Sequence, residues 1–295
     1  MDGRNRLALG TVQFGLAYGV SHEGGRVPLE EARAIVTLAM RNGVNLIDTA
    51  VAYGDSEEVL GEIAGEGSPF AIVTKTLPIR AETIDVAAID HVEAAFHESL
   101  RKLRRESVYA LLVHDARDIL NPGGDELWRR LERLREQGRV KKIGVSAYDR
   151  AEIDATMSRF PVSVVQVPIN AFDQRLLADG TLTRLASQGV EIHARSLFLQ
   201  GLLLMTLEAV EAKLPRAAAA SRVWREVLVE SGVSPLAAAL GFGLRQPAIG
   251  RMVIGVHSAA HLAECLAAVA DVPSLDYARF ACDDHDVIDP RRWVN

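Results

Sequence analysis

Asp48, Tyr53, Lys75 and His114 are ionisable side chains of four different chemistries, and each stands at or just beyond the end of a short apolar run. The run V-N-L-I delivers Asp48, and a loop then presents Tyr53 before Gly54 turns the chain. A-I-V-T ends in Lys75, and V-Y-A-L-L-V ends in His114. Further along, K-I-G-V-S ends in Ser146, and S-V-V-Q-V-P-I-N carries Gln166 and Asn170. One such residue alone reads as a capping or solvated group; several of different types, on successive runs, read as a site. Their chemistry is complementary. A phenol, with a reference pKa of about 10, is a weak acid and a poor base at neutral pH. A nearby ammonium favours the phenolate, and a carboxylate paired with that ammonium holds it in place. An imidazole adds a donor able to orient a carbonyl oxygen or share a proton with the phenol. The set describes a tyrosine that protonates a carbonyl oxygen as a hydride reaches the carbon.

Such a set needs a rigid floor. Apolar runs of about five to eight residues alternate with amphipathic stretches of about 12 to 20 along the whole chain. Strands are expected at residues 7–10, 44–48, 70–75, 108–114, 142–146, 162–167, 190–195 and 252–256. Helices are expected at 29–42, 56–64, 84–103, 126–137, 150–159, 176–188, 217–231 and 259–269. Ser56 reads as the N-cap of the second helix, and Gly43, Gly138 and Gly189 sit where a helix hands over to a strand. This alternation predicts an α/β fold, a closed parallel (β/α)8 TIM barrel, as a single domain over residues 1–295. A doubly wound open sheet is the alternative, but the first turn, G-T-V-Q-F-G-L-A-Y-G, does not match G-x-G-x-x-G.

Composition narrows the class. With 48% hydrophobic and 24% charged residues among 295, the chain has the balance of a globule with a sizeable core. A net charge of −6, with both signs mixed, leaves no basic surface for nucleic acid. Cys265 and Cys282 have neither metal-ligand spacing nor a disulfide framework, so no metal is expected and a reducing, cytoplasmic setting is. The start M-D-G-R-N-R lacks the apolar core of a signal peptide, and charges interrupt the Leu/Ala runs before they could span a membrane. No feature of the sequence speaks to oligomeric state.

The motifs D-T-A-V-A-Y-G-D-S-E-E-V-L-G (48–61), I-V-T-K (72–75), L-L-V-H-D (111–115), I-G-V-S (143–146) and Q-V-P-I-N (166–170) together resemble the aldo-keto reductases, NAD(P)-dependent enzymes on this barrel. The resemblance runs from Leu9 to about Ala270. It implies Tyr53 as general acid/base, Lys75 and Asp48 as its tuning pair, and His114 as the residue orienting the substrate. It also implies Ser146 and Gln166 at the nicotinamide carboxamide and Gly10 and Thr11 on the cofactor's floor. Arg195, Ser196, Leu197 and Gly201 of H-A-R-S-L-F-L-Q-G-L-L are further implied cofactor contacts. So are Gly255, His257, Ser258, His261 and Cys265 of V-I-G-V-H-S-A-A-H-L-A-E-C.

Three departures stand out. Ala147 replaces the family's usual asparagine. Arg195 stands where many members stack a tyrosine on the nicotinamide, so it faces either a substrate carboxylate or phosphate or a neighbouring acid. His257, His261 and Cys265 replace the usual arginine or lysine, its second contact and an asparagine at the adenosine end. Histidine holds a 2′-phosphate less firmly than arginine at neutral pH. NADP(H) is therefore the implied cofactor with NAD(H) open beside it, and the implied partner is a small carbonyl or sugar substrate. A cofactor-binding regulatory or redox-sensing barrel is the second reading, motivated by Ala147, Arg195 and Cys265. The tail D-P-R-R-W (289–293) resembles a bacterial branch of the family. His91 and His97 read as a solvated helix face, and Trp128 and Trp224 as helix-to-barrel packing. The segment after Asp115 and residues 202–215 are the expected walls of the substrate site.

Overall fold

A computed structural model describes residues 3–20 and 24–293. Its strands are β1 (Leu7–Gly10), β2 (Leu46–Asp48), β3 (Ala71–Lys75), β4 (Val108–Val113), β5 (Val140–Ser146), β6 (Val164–Pro168), β7 (Glu191–Arg195) and β8 (Arg251–Gly255). Every neighbouring pair is parallel, and β8 pairs back onto β1, with Leu7 opposite Met252 and Gly10 opposite Gly255. The sheet is therefore a closed (β/α)8 barrel and not an open one.

Two packing layers follow from the two-residue period of a strand. Ala8, Leu46, Val73, Ala110, Leu112 and Val164 fill the barrel's interior, with Val253 packed against them. The other strand face joins the helices in one large outer core. Helix Leu29–Arg41 shows the matching helical period, burying Ala32, Ile35, Val36 and Ala39. Helix Val86–Leu103 starts on Asp85, whose carboxylate accepts the Ala88 amide at 2.8 Å. Gly43, Gly138 and Gly189 all adopt positive φ at the helix-to-strand handovers, as expected. Trp128 stacks on Phe160, and Trp224 meets Phe172 and Phe280 edge-on, so both tryptophans pack the helical shell. His91 and His97 are exposed.

Among the differences from the expected elements, three matter most. The helix foreseen at 176–188 is broken into Arg175–Ala178 and Thr181–Ser187, because Gly180 takes φ +75° between them. Helix Pro235–Leu244 was not foreseen: it is apolar on nearly every side, burying Ala238 through Gly243, so it carries no amphipathic period. Ser56 is not an N-cap. Asp55 holds that position without a side-chain cap, and the Ser56 hydroxyl donates instead to Thr11, whose O is 2.9 Å away and Oγ1 2.8 Å away. It ties the loop after β2 to the loop after β1. No single helix among the described residues is long and apolar enough to cross a membrane.

Candidate active site

The strand period also places the polar groups. Two residues beyond the last interior apolar residue of six strands the chain reaches the C-terminal rim: Ala8 leads to Gly10, Leu46 to Asp48, Val73 to Lys75, Leu112 to His114, Val164 to Gln166 and Val253 to Gly255. All six rim residues line one cavity of about 580 Å³. Such a rim is where barrel enzymes carry their chemistry.

Lys75 lies at the centre, 1% exposed, and its ammonium has three acceptors for its three protons. Nζ donates to Asp48 Oδ1 at 2.5 Å, to the Thr49 carbonyl at 2.9 Å and to the Tyr53 hydroxyl oxygen at 3.4 Å. Burial alone would depress this ammonium's pKa; the Asp48 charge, together with the Tyr53 and Asp48 hydrogen bonds, reverses that and raises it above 10.5. Asp48 is held on its other oxygen, Oδ2, by Gln166 Nε2 at 2.7 Å. Since lysine is the donor, the Tyr53 oxygen is the acceptor, which leaves the phenolic proton for a third party.

Tyr53 itself sits on a tight turn. The Ser56 amide donates to the Tyr53 carbonyl at 3.1 Å, and Gly54 takes φ +57°. Gly15 packs so closely here that a Cβ on it would overlap the Tyr53 carbonyl oxygen, so only glycine fits. His114 presents its ring edge-to-face to Tyr53, with centroids 5.9 Å apart. Burial, reinforced by the Lys75 ammonium, pushes the His114 pKa down to about 4, so the imidazole is neutral at pH 7. A neutral imidazole donates through one nitrogen, the role needed beside a carbonyl oxygen.

That depressed pKa has a consequence for stability. Unfolded His114 takes up a proton near its ordinary 6.5, whereas the folded one resists until about 4. The unfolded state therefore binds more protons between these values, and stability is fully present above the upper one and lost as pH falls through the window. His114→Gln is expected to flatten the fall in melting temperature between pH 6.5 and pH 4, measured against the wild type. An unchanged slope would show that other groups carry it.

Of the remaining expected cofactor residues, Thr11, Ser146, Arg195, Ser196, Leu197, Gly201, His257, His261 and Cys265 also line the cavity. Ser258 does not: its hydroxyl caps helix Ala259–Ala268, accepting the His261 amide at 3.1 Å. Asn170 serves as a brace. Its Oδ1 accepts the Phe172 and Asp173 amides and its Nδ2 donates to the Ser196 carbonyl at 3.2 Å. The brace matters because the loop after β7 is wound tightly, with positive φ at Ser196, Leu199, Gln200 and Gly201. Such left-handed non-glycine positions persist only where surroundings enforce them.

The cavity runs from Tyr53 and His114 to His257, His261, Glu264 and Cys265. Gly255 opens its floor, since a Cβ there would overlap the Gln13 carboxamide. At the far end Glu31 stands beside the start of helix Ala259–Ala268, accepting the Ala259 amide at 2.6 Å. Of the expected walls only Leu204 takes part; the actual walls include Tyr18, Tyr148, Phe198, Gln200 and Leu236. Tyr148 is gripped between two guanidinium groups, with Arg195 Cζ 4.2 Å and Arg291 Cζ 3.3 Å from its ring centroid. The C-terminal segment thus reaches the cavity wall. Arg195 faces no neighbouring acid among the described residues: its contacts are Tyr148 and, at 3.5 Å, Ser196 Oγ.

Comparison with known proteins agrees with this fold. The model of the "Aldo/keto reductase family" matches residues 6–281. L-galactose dehydrogenase of Arabidopsis thaliana is 27% identical over 285 residues, covering 92% of this chain and 88% of its own. Glyoxal reductase of Bacillus subtilis is 28% identical over 177 residues, 59% of this chain and 60% of that protein. Among solved structures, an aldo-keto reductase from Bacillus halodurans has the same fold, with a TM-score of 0.73 at 18% identity over 96% of this chain and 95% of that one. With the family model spanning nearly the whole barrel, this chain belongs to the aldo/keto reductase family of carbonyl oxidoreductases.

Proposed function

We propose that this chain reduces an aldehyde, ketone or sugar carbonyl at the expense of NAD(P)H, or runs the reverse oxidation, with Tyr53 as general acid/base. The observation that carries this reading is the Lys75 ammonium joining Asp48 to the Tyr53 hydroxyl at the foot of the cavity. The cavity suits a dinucleotide: its lining includes Gly10 and Gly255 and extends from the tetrad to His261 and Cys265 on helix Ala259–Ala268. When bound, the nicotinamide supplies the hydride. Ser146 and Gln166 would hold its carboxamide, and Gln166 keeps Oε1 and one N–H for that task after serving Asp48. Lys75 holds the Tyr53 oxygen, His114 orients the carbonyl, and Tyr53 delivers the proton to the oxygen. The sugar dehydrogenase and the glyoxal reductase among the relatives favour a small polar carbonyl compound. Two free cysteines suit a reducing, cytoplasmic compartment.

The adenosine end bears on cofactor choice. The lining there contains His257, His261 and Glu264 but neither lysine nor arginine, and the Glu31 carboxylate already takes the first helix amide. A 2′-phosphate would meet negative charge, so NAD(H) is read as binding at least as well as NADP(H). Fluorescence titration with NADH and NADPH tests both points. Micromolar binding of at least one supports the reading, and binding of neither overturns it. His257→Arg is expected to shift the NADPH:NADH affinity ratio toward NADPH by about tenfold, the size of one charge-assisted hydrogen bond.

The regulatory alternative rests on Ala147, Arg195 and Cys265 as departures at the cofactor site, and a thiol-based redox sensor there would have to be Cys265. Its thiol is buried and burial pushes its pKa up to about 12, which leaves almost no reactive thiolate at neutral pH. Turnover is the better reading.

A further inference from the structure

Arg195 presents an unresolved charge at the chemical end of the cavity. Its Nη2 is buried without a hydrogen-bond partner, its Nη1 reaches only Ser196 Oγ at 3.5 Å, and it forms no ion pair among the described residues. The contrast with Arg291, on the same tyrosine, is direct. Asp289 takes the Arg291 Nε at 2.9 Å and the Nη2 at 2.7 Å, so that guanidinium is neutralised. Lys75 likewise has Asp48. Among the cationic side chains of this region, Arg195 alone of these three lacks a counter-charge. Leaving a buried guanidinium nitrogen unpaired is costly, and such groups are normally matched by an anion.

The charge is also well positioned. The Tyr148 ring backs the guanidinium, and Arg291 braces that ring from the tail, which fixes the plane of Arg195. Arginine held in this way offers a fork suited to planar or phosphate oxygens. It stands at the end of β7 and lines the same cavity as Tyr53 and His114. The Arg195 charge is felt at His114, where it joins Lys75 in disfavouring the imidazolium.

We propose that Arg195 binds an oxyanion carried by the carbonyl substrate itself, so that the preferred substrates are oxo acids, sugar acids or phosphorylated carbonyl compounds rather than neutral aldehydes. The proposal rests on the oxidoreductase reading and names its substrate class. Salt-bridge formation on binding would then also relieve the positive charge beside the nicotinamide.

Matched pairs test it: 4-oxobutanoate against butanal, D-glucuronate against D-glucose, and glyceraldehyde 3-phosphate against glyceraldehyde. The wild type is expected to favour the charged member of at least one pair by tenfold or more in kcat/KM, mainly through KM. The pair that responds separates carboxylate from phosphate. Arg195→Met, which keeps the stem and removes the charge, should shrink that preference about 10- to 100-fold, and Arg195→Lys should restore part of it. Equal use of charged and neutral members by the wild type overturns the proposal. So does a loss in Arg195→Met that is the same for both members and is matched by weaker NADH and NADPH binding, because the anion met by Arg195 would then be the cofactor's pyrophosphate. Calorimetric titration of the wild type and Arg195→Met, both loaded with the reduced cofactor, with succinate and glycerol 3-phosphate, which carry no aldehyde or ketone to reduce, needs no turnover. Should no carbonyl compound react, the oxidoreductase reading fails by itself, and this binding difference still decides whether Arg195 is an anion site.

Discussion

Tyr53→Phe is expected to lower kcat for carbonyl reduction by about 10²- to 10⁴-fold, the range of a positioned general acid, while leaving NADH and NADPH affinity within a few-fold. The reason is the direction of one hydrogen bond. Lys75 can only donate, so the Tyr53 oxygen accepts from it and its own proton is left for the substrate oxygen. Phenylalanine keeps the ring against His114 and the fold of the 53–56 turn, and removes only that proton. The measurement is steady-state turnover followed by nicotinamide absorbance, paired with fluorescence titration of each cofactor. A variant that retains turnover within tenfold of the wild type would remove Tyr53 from the chemistry. His114, neutral at pH 7, would then be the group to test next as the donor.

The barrel was readable because its construction is periodic. In six of the strands the residue two places beyond the last interior Leu, Val or Ala arrives on the same face at the rim, so Asp48, Lys75, His114 and Gln166 are legible as one layer from strand spacing alone. The same reasoning fails where periodicity is absent. Helix Pro235–Leu244 is buried on nearly every side, so the only local signal is its start, where Ser234 accepts the Ala237 amide and Pro235 follows. Ser56 looked like a cap because serine before an acidic, apolar stretch usually is one; a buried contact with Thr11, 45 positions earlier, gives its hydroxyl a better partner. The walls of the site were illegible for a related reason. Tyr18 and Tyr148 come from separate loops and Leu236 from the first turn of helix Pro235–Leu244, and nothing local in any of them marks an inward side chain. The grip of Arg195 and Arg291 on Tyr148 joins three positions spread over half the chain. The sequence poses Arg195 as an exception to a family pattern; only the tertiary contacts show that no acid among the described residues answers it.

Lys75→Met should combine a loss of activity with a loss of stability, and the two can be separated. Asp48 and Lys75 form an ion pair at 2.5 Å with both side chains at least 97% buried. Removing the ammonium leaves the Asp48 carboxylate with Gln166 as its remaining side-chain donor, and stranding one member of such a pair costs about 3–5 kcal/mol. For a chain of this size the melting temperature should fall by roughly 10 °C. Adding Asp48→Asn removes the stranded charge, so the double variant should recover most of that stability. Turnover should not recover, because Tyr53 then has no ammonium beside it. A double variant that regains both would show that Lys75 acts only as packing. The alkaline limb of stability gives an independent check. The folded-state pKa of Lys75 is raised above 10.5, the Asp48 charge overcoming the effect of burial. Its contribution is therefore fully present below that value and is lost as pH rises through the higher folded one. The wild type should lose stability in that window, and Lys75→Met should lose correspondingly less.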